Sequence, residues 1–281
     1  MDIKNIKKEF PIFKQKINGK SLVYLDSANS SQKPKAVINK ISNFYETEFS
    51  NVGRSVHTLA VKATNRFEAT RDKVQKYLNA KHREEIIFTK GATEAINLVA
   101  SSYGKKYIKK GDEILITELE HHSNYVPWNF LRTEKGAIIK FAKVNEDGDV
   151  EIEEIKKLIT NKTKIIAITH ISNVTGAVLP ITKIVDLAKE KDIPVLIDGT
   201  QGAPHTAIDM QKIGCDFYAI SCHKMYGPNG LGLLYMKKKW VDDLPPYQGG
   251  GGMINEVKKE SITFADANTK FEAGTMQTAE V

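Results

Sequence analysis

The 281-residue chain is short of sulfur, tryptophan and long apolar runs. Its only two cysteines, Cys215 and Cys222, stand on either side of a short apolar stretch and lack C-x-x-C spacing. That excludes a disulfide framework and argues against a structural zinc site, and reduced thiols suit a cytoplasmic protein. No stretch approaches the roughly 20 apolar residues of a spanning helix, so no membrane partner is expected. The opening MDIKNIKKEFPIF has no apolar core of a secretion signal, and the expected location is cytoplasmic. Acidic residues are in deficit, 34 against 41 basic, for a net charge of +7. The lysine pairs are scattered, with one triple at Lys237–Lys239, and no basic stripe interleaves with aromatics. The charge therefore reads as solvated surface, and nucleic acid is not expected as a partner.

A chain of this length, 41% hydrophobic, can bury a substantial core as one large domain or two small ones. Apolar runs alternate with helical periodicity. Strands are expected at Glu85–Thr89, Glu113–Thr117, Ala137–Phe141, Lys164–Thr169, Pro194–Asp198 and Phe217–Ser221. Helices are expected at Ala92–Tyr103, Asn124–Glu134, Glu151–Ile159 and Ile181–Lys191. The pattern indicates an α/β fold, a mainly parallel sheet flanked by helices. Residues 1–80 read differently, as a helical segment packing on a large domain of 81–281. Its helices are expected near 35–48 and 57–79, the longer one docked rather than coiled. Gly249–Gly252, after Pro245-Pro246, reads as a flexible loop or turn.

In such folds binding groups collect at the carboxyl ends of strands. Asp198 ends the run PVLID, where a carboxylate can hold a protonated pyridine nitrogen; alone, Asp-Gly is also a common turn. Ser221, His223 and Lys224 follow the next run. A lysine at a buried strand end can form an imine with an aldehyde, or move a proton once free, and its neighbours can hold a phosphate. In TKGATEA a strand ends, Gly91 turns, and a helix begins whose first amides suit a phosphate, with Thr93 beside them. His121 and His122 end another strand. An imidazole there can stack on an aromatic cofactor or shuttle protons, and no acid or third ligand follows at zinc spacing, so no metal is expected.

Together these segments resemble the cysteine desulfurases of the iron–sulfur assembly type, within the class V aminotransferase superfamily of fold-type I pyridoxal-phosphate enzymes. The wording that carries the likeness is YLDSANSSQKP (24–34), VHTL (56–59), GATEAINLVA, EHHSNYVPW, ISNVTG, DGTQGAPH, CDFYAISCHKMYGPNGLGLLY, PPYQGGG and FEAGT (271–275). The resemblance implies pyridoxal 5'-phosphate carried by Lys224, with Asp198 on the pyridine nitrogen and Gln201 on the phenolic oxygen. Asn173 would lie beside them and His121 would stack on the ring. Thr93, Ser221 and His223 would hold the phosphate, and Thr275 would reach the phosphate of a partner subunit in a homodimer. His57 would lie near the substrate. The implied reaction removes sulfur from L-cysteine, leaving L-alanine and an enzyme persulfide. Lys224 would take the α-proton, and His121 is a candidate for proton transfer. A sulfur-acceptor or iron–sulfur scaffold protein would be the partner.

The likeness departs chiefly in one respect, beside smaller differences at Asn29, Ser30, Gly53, Ser55, Gly252, Met276 and Gln277. The family's nucleophilic cysteine and carboxylate-binding arginines lie beyond FEAGT, in a C-terminal small domain, and neither Cys215 nor Cys222 matches that cysteine. The expectation is a chain lacking that domain and inactive alone. A selenocysteine lyase acting on L-selenocysteine, another class V enzyme, or a chain that binds cofactor without turnover stay open. The glycines of GPNGLG precede a strand rather than join a strand to a helix, which argues against nucleotide binding.

Overall fold

The computed structural model describes residues 2–53 and 55–281. Helix α1 (Ile3–Lys8) leads into a two-residue ribbon, β1 (Lys16–Ile17) and β2 (Lys20–Ser21). Asn18 and Gly19 turn it with φ of 52° and 75°, the left-handed pair that a tight hairpin requires. Then come α2 (Lys35–Thr47) and α3 (Thr58–Tyr77). The latter buries Ala60, Ala63, Phe67 and Arg71, one face at three- and four-residue spacing. It is docked against the sheet, with the Phe67 and Phe88 rings 5.0 Å apart.

The α/β alternation follows: β3 (Ile86–Thr89), α4 (Ala92–Tyr107), β4 (Glu113–Thr117), α5 (Val126–Lys135), β5 (Ile138–Ala142), α6 (Ile152–Leu158), β6 (Thr163–Thr169), α7 (Ile181–Lys189), β7 (Val195–Asp198), α8 (Gly202–His205), α9 (Met210–Ile213), β8 (Phe217–Ser221) and β9 (Gly232–Met236). Helix α10 (Lys238–Asp243) and a ribbon of β10 (Ile254–Val257) and β11 (Ile262–Phe264) complete it. The central sheet runs β3-β9-β8-β7-β6-β4-β5. Its pairs are parallel except those of β9, which is antiparallel to both β3 and β8. The loop from 222 to 231 is too short to carry a crossover helix, so β9 must return antiparallel. Strands β3, β4, β7, β8 and β9 are buried at every position, as a sheet covered on both faces demands.

Most element boundaries fall within a few residues of those expected. Helix α4 runs past Tyr103 to Tyr107, and Gly104 inside it is a packing glycine. A Cβ there would meet the Leu131 side chain at 2.6 Å. The helix expected over 124–134 begins later, because His122–Asn124 form a 3-10 turn and Pro127 sits in the first turn of α5. Helix α7 stops at Lys189, short of Lys191. The glycine run expected as a loop leads into the exposed β10–β11 ribbon, which periodicity did not announce. Among the described residues no helix is long and apolar enough to cross a membrane.

Candidate cofactor site

Five strands of the central sheet end at one cleft. It is lined by Thr93 after β3, His121 after β4, Asn173 after β6, Asp198 and Gln201 at and after β7, and Ser221, His223 and Lys224 at and after β8. Eight of the ten residues singled out from the sequence therefore meet there. Asn29, Ala92, Ser123, Thr169, Ile171 and Thr200 complete the wall and were not among them.

The side of the cleft at the start of α4 is built by close backbone packing. Gly232 of β9 stands opposite both Thr89 and Ser221. A Cβ on it would run into the Gly91 backbone, so only glycine lets the start of α4 approach the end of β8. Across that gap Ser221 Oγ accepts the Ala92 N–H at 2.9 Å. The remaining first-turn amides of α4 have no intrahelical acceptor and carry the positive end of the helix dipole. Thr93 sits exposed on that turn, and His223 lies beside it in the cleft.

The floor is the turn after β7. Asp198 is 5% exposed and accepts the Thr200 N–H at 3.0 Å. Two glycines lower this turn onto aromatic groups. A Cβ on Gly199 would collide with the Tyr218 ring, and one on Gly202 with the His170 ring. His170 Nδ1 and the Tyr218 hydroxyl share a hydrogen bond of 2.8 Å beneath them. Gln201 Nε2 donates to the Ala28 carbonyl at 2.6 Å, so one of its two amide hydrogens is spent on the N-terminal segment.

Burial lowers the pKa of Lys224, and Asp198 opposes the shift by raising it. The amine is thus nearer to neutral than a solvated lysine, as an imine-forming nitrogen needs. Burial also lowers His121, against the pull of Asp198 and helped by Lys224 and His122. His121 Nδ1 accepts the Ser123 N–H at 3.2 Å, which puts the proton of the neutral ring on Nε2. Burial lowers His223, and Lys224 and Lys33 add to it.

Beside His121, Glu120 accepts from Thr117 Oγ1 at 2.7 Å, the Thr169 N–H at 2.9 Å and Asn124 Nδ2 at 2.6 Å. Burial pushes its carboxyl up to about 8, against those three bonds. It ties the β4 end to the β6 end. Its only trace in the sequence was its place next to the histidine pair.

Two singled-out residues lie elsewhere. His57 is exposed and caps α3, its Nδ1 accepting the Ala60 N–H at 3.3 Å. Thr275 is exposed in a bend, outside this chain's cleft. Neither thiol is poised to react. Cys215 is fully buried, and burial drives its pKa far up. Burial holds Cys222 at about 12 despite Lys33 nearby. Both behave as packing groups.

The donor set suits pyridoxal 5'-phosphate. One amine with a pKa lowered by burial, one buried carboxylate, an imidazole and a hydroxyl-lined helix start share a single cleft. Thr200 Oγ1 on the cleft wall is buried with no partner among the described residues, a hydroxyl available to a ligand.

Comparison with known proteins agrees. The class-V aminotransferase family matches residues 23–281. A probable cysteine desulfurase of Halalkalibacterium halodurans is 47% identical over 275 residues, covering 98% of this chain and 68% of the relative. The crystal structure of a cysteine desulfurase from Escherichia coli superposes with a TM-score of 0.89 at 37% identity, over 100% of this chain and 69% of that one. The apo cysteine desulfurase of Thermococcus onnurineus gives a TM-score of 0.92 at 32% identity, over 99% and 68%. The chain thus spans about two-thirds of the length of these relatives. It belongs to the class-V aminotransferase family and, within it, to the cysteine desulfurases, which depend on pyridoxal 5'-phosphate.

Proposed function

We propose that this chain supplies the cofactor site of a cysteine desulfurase that removes sulfur from L-cysteine and leaves L-alanine, in the service of iron–sulfur cluster assembly. The observation that carries the reading is the meeting of Lys224, Asp198 and His121 in one cleft. When bound, pyridoxal 5'-phosphate supplies an aldehyde for the substrate amine and an electron-withdrawing ring. Asp198, at the strand end, would pair with the pyridine nitrogen, Gln201 would hydrogen-bond the phenolic oxygen and Asn173 would lie beside them. His121 would stack on the ring, where its imidazole can move a proton at the ring or at the substrate sulfur. Lys224, whose pKa burial lowers, would anchor the cofactor and, once released, would take the proton from the substrate Cα. Thr93, Ser221 and His223 would hold the phosphate on the α4 terminus, and Thr275 would serve the phosphate of a second copy in a cytoplasmic homodimer. His57 would lie near the substrate.

The sulfur-accepting thiolate is neither Cys215 nor Cys222, since a buried thiol held that far above neutral pH is not a nucleophile. The sulfur then passes to an acceptor or scaffold protein. The test is borohydride trapping. Wild-type chain given pyridoxal 5'-phosphate should yield a pyridoxyl adduct on the peptide containing Lys224, and Lys224→Ala should yield none. An equal adduct in Lys224→Ala would overturn the assignment.

A further inference from the structure

The carbonyl oxygen of His223, in the peptide unit that joins His223 to Lys224, is gripped by the N-terminal segment. Four donors converge on it: Lys33 Nζ at 2.7 Å, the Ser31 N–H at 3.0 Å, Ser31 Oγ at 3.0 Å and Ser30 Oγ at 3.3 Å. All come from residues nearly two hundred positions away in sequence. Lys33 Nζ also donates to the Ser31 carbonyl at 2.7 Å, which folds the segment into a compact clamp. Ser30 Oγ reaches the His223 ring as well, 3.2 Å from Nδ1.

The clamp holds more than the carbonyl. Ser31 Oγ accepts the Tyr226 N–H at 2.8 Å. Tyr226, two residues past Lys224, is a non-glycine residue at φ 62°, a left-handed conformation that persists only where its surroundings over-determine it. Three residues of one segment thus grip both sides of Lys224 while touching neither its amine nor the cleft floor. Lys33 does not line the cleft, so no contact with the cofactor accounts for its half-buried ammonium. An ammonium desolvated on two carbonyls is costly unless both bonds are made.

We infer that Lys33 is a positioning residue for Lys224. With Ser30 and Ser31 it fixes the turn from which the reactive amine projects, so that the amine meets an aldehyde in the cleft. The inference rests on the reading of the cleft as a pyridoxal-phosphate site. It separates two kinds of ligand. Pyridoxal 5'-phosphate needs the Lys224 amine to be aimed, whereas pyridoxamine 5'-phosphate carries no aldehyde and uses only the surrounding donors.

The experiment compares the two compounds on purified wild-type, Lys33→Met, Lys33→Arg and Ser31→Ala chains by fluorescence titration. Lys33→Met should weaken pyridoxal 5'-phosphate about tenfold, the size of one lost charge-assisted hydrogen bond, with a matching loss of the borohydride adduct at Lys224. Pyridoxamine 5'-phosphate should weaken less than about threefold. Lys33→Arg, which keeps a charged donor, should restore most of the difference. Ser31→Ala removes a donor to the carbonyl and the acceptor of Tyr226 while keeping Lys33. It should show the same selective loss, and it decides the question if Lys33→Met does not fold. Equal weakening of both compounds, or of neither, overturns the clamp. A wild-type chain that binds neither compound overturns the cofactor reading, and the clamp with it.

Discussion

Ser221 accepts the N–H of Ala92 at 2.9 Å, and this bond joins the end of β8 to the start of α4. Both groups are buried, and no water can replace either one cheaply. The two strand ends that would share a phosphate are therefore held together by protein contacts alone.

Ser221→Ala should cost about 1–3 kcal/mol of stability, since it strands a buried donor. Urea unfolding measures that loss. Cofactor uptake should fall further in proportion than stability does, because the displaced helix start also carries Thr93. Unchanged cofactor affinity in a destabilised Ser221→Ala would remove Ser221 from the phosphate site.

The pH behaviour of Lys224 follows from its two opposing influences. Burial lowers the amine from its ordinary 10.5, and Asp198 pulls it back up. Asp198→Asn should therefore move the titration of Lys224 to lower pH, readable by NMR of 13C-dimethylated lysines with the resonance assigned through Lys224→Arg. The same lowering makes the Lys224 site bind fewer protons in the folded than in the unfolded chain between its lowered pKa and 10.5. Stability should rise with pH across that window, and Lys224→Met should flatten the rise. A Lys224 resonance that shifts to higher pH in Asp198→Asn would contradict the assigned geometry.

Gly199 meets the Tyr218 ring so closely that no side chain fits. Gly199→Ala should destabilise the chain by about 1–3 kcal/mol through overpacking, and it should shift the turn carrying Asp198 and Gln201. Thermal melts and cofactor titration check the two effects. Adding Tyr218→Leu should recover part of the stability; no recovery would mean that the strain lies elsewhere.

Arg71 and Glu272 form a bidentate pair at 2.8 and 2.9 Å, with side chains 4% and 7% exposed. Glu272 Oε1 also accepts the Phe88 N–H at 2.8 Å, and Arg71 lies 4.6 Å from the Phe88 ring centroid. The pair binds α3 and the segment before Thr275 to the edge strand β3. Arg71→Met should cost about 3–5 kcal/mol, because it leaves a buried carboxylate unpaired. Calorimetry should show the double variant Arg71→Met, Glu272→Gln to be the more stable of the two. A loss below 1 kcal/mol in the single variant would mean that water reaches the pair.

The sequence by itself determined the α/β class, the parallel character of the sheet and the strand ends at which the chemistry collects. The reason is that a buried parallel strand is a local signal, a short run of apolar residues bounded by turn residues, and the polar groups after it stand out. Asp198, Ser221, His223 and Lys224 were legible for that reason, as was the helix start at Thr93.

What only the tertiary structure decided are relationships with no sequence period. That β9 runs antiparallel depends on the length of its connection, and that Gly232 must be glycine to clear the Gly91 backbone depends on the register of three strands. The buried Arg71 read as one more charge of a basic chain until Glu272, 201 positions away, came to meet it. Lys33 looked like one solvated lysine among many. Its desolvated ammonium depends on the chain folding back on the His223 carbonyl, and no local pattern records such a meeting.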